Sequence, residues 1–294
     1  MKRIFLFLAV NFAMMITLGV VAHVACILFG TTVEELIGPG YAELAIYAFV
    51  YGVIAAFISL LLSKPIAKFS CGAKTIDGSE GAAERWLVDT IRELADRANV
   101  KMPEVAVYEG DANAFATGAF RNHSLVAVST GIIRQMTKSE LRAVLGHEMS
   151  HVANGDMVTM TLVQGVLNAF VIFISRALAS VIVRGGDSRR RSSGGLYFLI
   201  AMVLQTVLGI LSSLIVLWYS RRREYAADAG SANLLGSPFD MIAALERLGN
   251  LKPGVLPDSL KAMGVAAGRR RTSIWSTHPA LEDRIEALKN WRAN

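Results

Sequence analysis

Cysteine is nearly absent from this 294-residue chain, which contains only Cys26 and Cys71. The two are far apart and form no Cys-x-x-Cys pair, so the sequence offers no thiolate zinc site. Cys26 lies inside an apolar run and Cys71 follows a lysine-rich junction, which predicts different depths for the two side chains. We therefore expect no disulfide bond, and any bound metal must use other ligands.

Charged residues are also scarce, at 18% of the chain, whereas hydrophobic residues make up 53%. The mean hydropathy of +0.43 is too high for an ordinary soluble domain and indicates insertion into a lipid bilayer. The formal net charge of +6 is compatible with nucleic acid or an anionic membrane surface as a partner. No basic stripe is interleaved with stacking aromatic residues, which favours the membrane and argues against nucleic acid.

Four long apolar runs are the predicted membrane helices: residues 4–29, 44–63, 157–183 and 196–220. Each is of near-spanning length for a bilayer. The first run is too long for a signal peptide, and no good small-x-small cleavage site follows it. A buried core helix is the alternative for any single run, but four such runs favour membrane helices.

The distribution of lysine and arginine predicts the orientation of the first two runs. Basic residues precede the first run and follow the second, whereas the loop between them carries only acidic charges. Because cytoplasmic loops are enriched in lysine and arginine, residues 1–63 are predicted to form a hairpin whose loop faces outward. Residues 64–156 would then lie in the cytoplasm.

The connection within the second pair, residues 157–220, conflicts with this rule. The stretch RALASVIVRGGDSRRRSSGG, which begins within the last part of the third run, is rich in glycine and serine, which predicts flexibility, and it carries five arginines: Arg176, Arg184, Arg189, Arg190 and Arg191. If both runs cross the bilayer, these arginines face outward, against the usual bias. A helix pair that does not fully cross would remove the conflict, and the sequence leaves both arrangements open.

The polar segments 64–156 and 221–294 are together large enough for one domain with its own core. Three stretches in it, EVAVYEG, NAFATGAF and SLVAVS, alternate in the manner of short strands. The other stretches predict helices. We therefore predict an α+β, predominantly helical fold, in which four membrane helices accompany a polar domain with a small antiparallel sheet.

The stretch LGHEMSHVANGD carries the clearest chemical signal. It lies in a predicted helix that begins with a cap-like Thr137 and with Glu140 three residues later. His147 and His151 are four residues apart, so both imidazoles leave one helix face and can reach one metal ion. Glu148 can face the water in the remaining coordination position, which suits a general base. The alternative is a chance match in which both histidines belong to the core.

A zinc site of this kind requires a third ligand. Glu224, in RRREYAADAG at the start of a predicted helix, is the better candidate, with His278 next in line. Asp228 follows on the same face and would orient a ligand histidine through its second ring nitrogen. Alternatively, both acids lie on a solvated helix face with arginine partners. Because Glu224 must meet His151, the chain between them must cross the membrane twice or not at all.

Three segments closely resemble one protein family: GHEMSHVANGDMVTMTLVQG, SRRREYAADAGSANLL and STHPALEDRIEAL. The family is HtpX, the bacterial membrane-bound zinc endopeptidases related to CAAX prenyl proteases, and the resemblance covers essentially the whole chain. It implies a zincin-like catalytic domain of the gluzincin type. It implies one zinc ion bound by His147, His151 and Glu224, with Glu148 as the catalytic base.

The same resemblance implies a cellular setting that no spacing in the sequence reveals. The protein would be a multi-pass protein of the bacterial inner membrane, with its active site facing the cytoplasm. It would hydrolyse damaged or misassembled membrane proteins as part of protein quality control during heat or envelope stress.

Two further sets of residues gain a role from the resemblance. His278 and Arg284, in THPALEDR, are predicted to stabilise the negative charge that develops on the substrate carbonyl oxygen. Pro279 restricts His278 to an extended conformation and is expected in the first turn of the following helix. The alternative is structural, with His278 capping that helix and Arg284 pairing with nearby carboxylates.

The second set is an edge strand beside the metal, predicted to accept substrate backbone by strand addition. It consists of Asn113, Ala114, Phe115 and Ala116. An ordinary interior strand is the alternative for this stretch.

The sequence therefore predicts an integral-membrane zinc metalloendopeptidase that acts on unfolded or misassembled membrane proteins. A non-proteolytic membrane adaptor with a structural zinc site is the main alternative. Structural zinc sites usually have four protein ligands, whereas here there are three good ligands and a spare glutamate, which favours catalysis. A transporter would need ionisable residues within its spans, and the spans here offer few.

Overall fold

The protein is described by a computed structural model that covers Thr32 and residues 40–184, 194–251 and 278–292. In chain order, its elements are α1 (Tyr41–Cys71), β1 (Lys74–Ile76), α2 (Ala82–Arg97), β2 (Glu104–Tyr108), β3 (Ala114–Gly118), β4 (Ser124–Ser129), α3 (Thr130–Gln135), α4 (Lys138–Asn154), α5 (Asp156–Arg184), α6 (Gly194–Leu235), α7 (Phe239–Asn250) and α8 (Leu281–Lys289).

The described residues form two compact units. One contains the residues up to Ile58 together with Thr161–Val216, and the other contains Ser59–Met160 together with the residues from Leu217 onward. Every residue predicted above to bind metal, to act in catalysis or to bind substrate belongs to the second unit.

Among the described residues, two helices are long and apolar enough to cross a membrane, Asp156–Val183 and Gly194–Leu235. They contain the predicted runs 157–183 and 196–220. The predicted run 44–63 lies inside α1, and the run 4–29 lies outside the described residues. The expectation of four membrane helices therefore stays a prediction, with two candidate spans among the described residues.

Helix α6 differs from the expectation that a new helix starts near Glu224. It runs without interruption for 42 residues, about 63 Å, and Glu224 lies well inside it. No proline separates the apolar run from the arginines, and arginine and alanine are strong helix formers, so the helix continues. One helix therefore carries both the apolar run and the predicted metal ligand.

The sheet is mixed, and the prediction of an antiparallel sheet is wrong. Its strand order is β1-β2-β4-β3, with β2 and β4 parallel and the other two pairs antiparallel. Strand β4 follows β3 through a turn and lies between β3 and β2. It is antiparallel to β3 and parallel to β2. Alternation in a sequence identifies strands but not their neighbours, which is why this order was missed.

Strands β3 and β4 are buried along their whole length. One face of β3 packs into the main core with α2, α4 and α7, through Ala114 and Ala116. The opposite face carries Phe115, which packs in a second cluster with Ala67 from the end of α1. Helices therefore cover both faces of the sheet, and β3 lies directly against α4.

Both ends of α4 are defined by local sequence. Thr137 and Glu140 form the predicted capping box, in which each side chain accepts a hydrogen bond from the backbone N–H of the other residue. At the other end, Gly155 adopts the left-handed conformation with φ of 60°, and its N–H bonds the carbonyl of Val152. Helix α5 begins at the next residue, Asp156, five residues after His151.

Candidate metal centre

Helix α4 presents two histidines to the interior of the second unit. His147 and His151 lie one turn apart and are almost completely buried. Their Nε2 atoms are 3.1 Å apart, so both nitrogens are directed at one point. The predicted pairing of these two imidazoles is therefore present.

Helix α6 supplies a carboxylate at the same point. The Oε2 atom of Glu224 lies 3.6 Å from Nε2 of His147, and Oε1 lies 3.4 Å from Nε2 of His151. Tetrahedral zinc with ordinary bond lengths places its ligand atoms about 3.4 Å from one another. The three groups thus fit a single zinc ion.

Small residues allow α4 and α6 to approach closely enough for this. A Cβ atom at Gly146 would lie 2.8 Å from Oγ of Ser231, and one at Gly230 would lie 2.5 Å from Oγ of Ser150. The Ser231 hydroxyl also donates to the backbone carbonyl of Ala143 at 2.7 Å. A side chain at Gly146 would therefore displace the Ser231 hydroxyl from this hydrogen bond, a packing role of the glycine that the motif alone does not reveal.

Asp228 and Arg284 stand behind His147, as predicted for Asp228. Oδ1 of Asp228 lies 2.9 Å from Nδ1 of His147, which leaves Nε2 free to face the metal position. Arg284 donates to both carboxylate oxygens of Asp228, at 2.8 Å from Nε and 2.6 Å from Nη2. Burial alone would lower the pKa of His147, but the hydrogen bonds and charges of Asp228 and Glu224 raise it to about 9.

Asp156 and Arg223 stand behind His151, and sequence reasoning missed both. Nδ1 of His151 donates to Oδ2 of Asp156 at 2.7 Å, and Arg223 Nε lies 3.5 Å from the same oxygen. Burial would lower the pKa of His151, but the hydrogen bonds to Asp156 and Glu224 raise it. Sequence analysis could have searched for such a partner, because a metal-binding histidine generally donates its second ring N–H to a carboxylate or carbonyl.

The formal charge of this cluster also fits a divalent cation. Four buried carboxylates, Glu148, Asp156, Glu224 and Asp228, face two buried guanidinium groups, Arg223 and Arg284. With neutral histidines, the formal charge is therefore −2. Burying uncompensated charge is costly, and a zinc ion would neutralise the charge of −2. Without metal, the raised pKa values of His147 and His151 allow both histidines to bind protons, which neutralises the same charge.

Glu148 directly follows His147 in α4 and is 1% exposed. Its Oε1 atom has no hydrogen-bond partner among the described residues, while the backbone of Ala116 in β3 hydrogen-bonds the carboxylate. Burial raises the pKa of Glu148, and the charges of His147 and His151 partly oppose this. The carboxylate thus lies beside the metal position and next to β3, with one oxygen available.

Strand β3 lies at the edge of the described sheet, and its predicted role in binding substrate stays a prediction. Among the described residues it pairs with β4 alone, and Asn113 joins the pairing just outside the strand, where its carbonyl accepts from the Ser129 N–H at 2.9 Å. In an antiparallel pair, hydrogen-bonding residues alternate along the strand. The backbone groups of Ala114 and Ala116 are therefore directed to the free edge, the side on which Glu148 lies.

His278 and Arg284 both reach the cluster. Nδ1 of His278 lies 2.8 Å from Oε2 of Glu224, and neither ring nitrogen completes a hydrogen bond with a described residue. Nη1 of Arg284 lies 3.4 Å from the same oxygen and is likewise buried without a hydrogen bond. Pro279 lies before α8, which begins at Leu281, so the expectation that it occupies the first turn is wrong. The catalytic roles of His278 and Arg284 stay predictions.

Comparisons with known proteins agree with this geometry. A family model described as peptidase family M48 matches residues 82–292. A protein named protease HtpX homolog from Paracidovorax citrulli is 50% identical over 293 residues, which covers 99% of both chains. A protease HtpX homolog from Bordetella petrii is 49% identical over 294 residues, with the same coverage.

A solved structure supports the fold. The crystal structure of S. mikatae Ste24p matches with a TM-score of 0.54 and 20% sequence identity. The match covers 96% of this chain, which spans 64% of the length of that Ste24p chain. At this level of identity the likeness concerns the arrangement of the elements alone.

Proposed function

Because the chain belongs to peptidase family M48 and is a metalloprotease, we propose that it is an integral-membrane endopeptidase with one zinc ion bound by His147, His151 and Glu224. The observation that carries this proposal is the convergence of three buried ligand atoms, all within 4.8 Å of one another. Their separations suit tetrahedral zinc, and their surroundings supply the matching negative charge. The M48 match and the two HtpX homologues support the peptidase chemistry.

Zinc bound here would polarise the scissile carbonyl and make a water molecule more acidic. Glu148 then acts as the base: its free Oε1 accepts a proton from the attacking water and passes it to the leaving amine. The buried surroundings that raise its pKa bring the carboxylate closer to the pH at which proton transfer in both directions is effective. This role needs only the position of Glu148 beside the cluster and a substrate held nearby.

We propose that His278 stabilises the developing charge on the carbonyl oxygen, with Arg284 as a second donor. Support comes from both ring nitrogens of His278 and from Nη1 of Arg284, which are buried at the cluster and have no hydrogen-bond partner among the described residues. A fixed donor in a dry site contributes about 2.7–4 kcal/mol to transition-state stabilisation. Arg284 also orients Asp228, so its substitution would affect structure as well as catalysis.

The substrate is proposed to bind as an extended chain along the free edge of β3. Backbone groups of Ala114 and the carbonyl of Ala116 would pair with it, and Asn113 and Phe115 would hold the strand against β4. In strand addition the hydrogen bonds are made to the substrate backbone rather than to its side chains, which suits unfolded segments of varied sequence. We therefore propose unfolded or misassembled membrane proteins as substrates, with quality control under heat or envelope stress as the role.

We propose a multi-pass location in a bacterial inner membrane with the metal centre facing the cytoplasm. Helices α5 and α6 supply two candidate spans between His151 and Glu224. Two crossings return the chain to the same side, as the contact between these residues requires. The basic residues that follow the run 44–63 support the cytoplasmic side.

Purified full-length protein in detergent tests the proposal through zinc content and cleavage of an unfolded model protein. Glu148→Gln should retain one zinc ion and lose hydrolysis by about a hundredfold or more. Glu224→Ala should lose the metal, since two imidazoles alone leave the ion under-coordinated. Glu246→Gln, at an exposed site in α7, is the matched control and should behave as wild type.

Two results would contradict the proposal. A folded Glu148→Gln protein without zinc would make Glu148 a ligand rather than the base. Full zinc content in Glu224→Ala would require another third ligand, with His278 the nearest candidate.

A further inference from the structure

Each of the two histidines of the cluster has an aspartate beside its Nδ1 atom and an arginine beside that aspartate. Behind His147 stands Asp228, which is held by Arg284. Behind His151 stands Asp156, which forms an ion pair with Arg223 at 3.5 Å. The role of Asp228 was predicted from its spacing to Glu224, but nothing in the sequence motifs assigned a role to Asp156 or Arg223.

Asp156 is placed by the turn that ends α4. Gly155 takes the left-handed conformation, and Asp156 is the first residue of α5. The turn brings its carboxylate back to His151, five residues earlier, at 2.7 Å. A residue with a Cβ atom would be strained at position 155, so the glycine and the aspartate form one unit.

Arg223 contacts both the side-chain carboxylate and the backbone carbonyl of Asp156. Its Nε atom lies 3.5 Å from Oδ2, and its Nη1 atom donates to the backbone carbonyl at 3.3 Å. Arg223 and Asp156 are 9% and 6% exposed, so their charges are largely shielded from water. Arg223 also directly precedes Glu224, so one turn of α6 supplies both a metal ligand and the cation behind the other carboxylate.

We propose that Asp156 is a positioning residue for the metal ligand His151, and that Arg223 acts through Asp156. The carboxylate accepts the Nδ1–H of His151, which fixes the tautomer and the ring orientation with Nε2 facing the metal. Arg223 holds the carboxylate in place and compensates its charge. The first turn of α5 and the Arg223 turn of α6 thereby determine the geometry at His151. This inference rests on the proposed metal site.

Zinc affinity of the full-length protein in detergent, measured by competition with a chromophoric chelator, tests the first part. Asp156→Ala should weaken zinc binding by about 10- to 100-fold, the usual effect of removing the partner of a ligand histidine. Asp156→Asn should lose less, because the amide oxygen still accepts from Nδ1. Asp89→Asn, an exposed aspartate paired with Arg92 on α2, is the matched control and should bind zinc as wild type does.

A visible spectrum separates positioning from a general loss of stability. Cobalt(II) replaces zinc in such sites, and its absorption reports ligand geometry. The spectra of Asp156→Ala and Asp156→Asn should both differ from the wild-type spectrum, whereas that of Asp89→Asn should not. Unchanged spectra together with unchanged zinc affinity in the Asp156 variants would overturn the proposal.

A double-mutant cycle tests whether Arg223 acts through Asp156. Arg223→Met should weaken zinc binding in the wild-type background and have no further effect beside Asp156→Ala. Equal losses in both backgrounds, or none in either, would overturn this part. If Asp156→Ala alone does not fold, the same cycle with Asp156→Asn decides, because the amide keeps the shape of the side chain. Arg92→Met is the control for removing an arginine.

The zinc-binding measurements also distinguish a failure of this inference from a failure of the proposed function. Wild-type protein that binds no zinc would refute the metal site itself and the inference with it. Wild-type protein that binds zinc, with Asp156 variants that bind it equally well and show the same cobalt spectrum, would refute only the positioning role.

Discussion

Nδ1 of His278 lies 2.8 Å from Oε2 of Glu224, so the histidine of the THP segment touches the third metal ligand. His278 is buried beside the cluster, yet the three groups that fit a single ion are His147, His151 and Glu224. The catalytic role proposed for His278 requires this position, next to a ligand but outside the ligand set.

His278→Phe is therefore expected to retain zinc and to lower kcat by a factor on the order of a hundred. KM should change little, because the lost interaction is made mainly in the transition state. Steady-state cleavage of an unfolded model protein measures both constants. His123→Phe, in the exposed turn between β3 and β4, is the control. Unchanged kcat, or a loss of zinc, would exclude this role for His278.

Arg284→Met is expected to destabilise the second unit by about 3–5 kcal/mol, because it leaves the buried carboxylate of Asp228 without its partner. Arg284 is fully buried and makes two hydrogen bonds to that carboxylate. Urea unfolding of the zinc-free protein, followed by tryptophan fluorescence, gives the free energy of unfolding. Arg92→Met, which removes an exposed ion pair, should cost at most about 1 kcal/mol. Similar losses in the two variants would contradict the structural importance of this pair.

Zinc binding is expected to strengthen as pH rises toward about 9, because His147 has a pKa raised to about 9 in the metal-free protein. Zinc must displace the proton, so one released proton gives up to about a tenfold gain in affinity per pH unit. The stability of the metal-free protein depends on pH in the opposite direction. A raised pKa stabilises the metal-free fold below about 6.5, the ordinary value, and this contribution is lost as pH rises through about 9.

Two measurements check this. Calorimetric zinc titration in buffers of different ionisation enthalpy counts released protons, and unfolding of the metal-free protein at several pH values gives the stability trend. Asp228→Asn should shift both effects to lower pH, since the lost charge no longer raises the pKa of His147. A pH-independent zinc affinity between pH 6.5 and 9 would contradict the prediction.

Thiol labelling of intact cells tests the orientation. With Cys26 and Cys71 replaced by serine, a cysteine at Thr32 should react with an impermeant thiol reagent added from outside. A cysteine at Asp111, an exposed position in the second unit, should react only after the cells are opened. The reverse pattern would place the metal centre on the outer side of the membrane.

Local patterns in the sequence determined much of this protein. The four-residue spacing of His147 and His151 predicted one helix face with two ligands, because helical periodicity operates within a few residues. The capping box at Thr137 and Glu140 was predictable for the same reason. The apolar runs within α5 and α6 needed only composition and length.

The tertiary structure alone decided what depends on distant contacts. The parallel neighbours β2 and β4, the free edge of β3 beside Glu148, and the close approach of Gly146 to Ser231 involve segments far apart in the chain. The same holds for Arg223, whose sequence position suggests only a basic flank to an apolar run. Its burial against Asp156 results from how α6 packs on the turn at Gly155, and no local pattern encodes such packing.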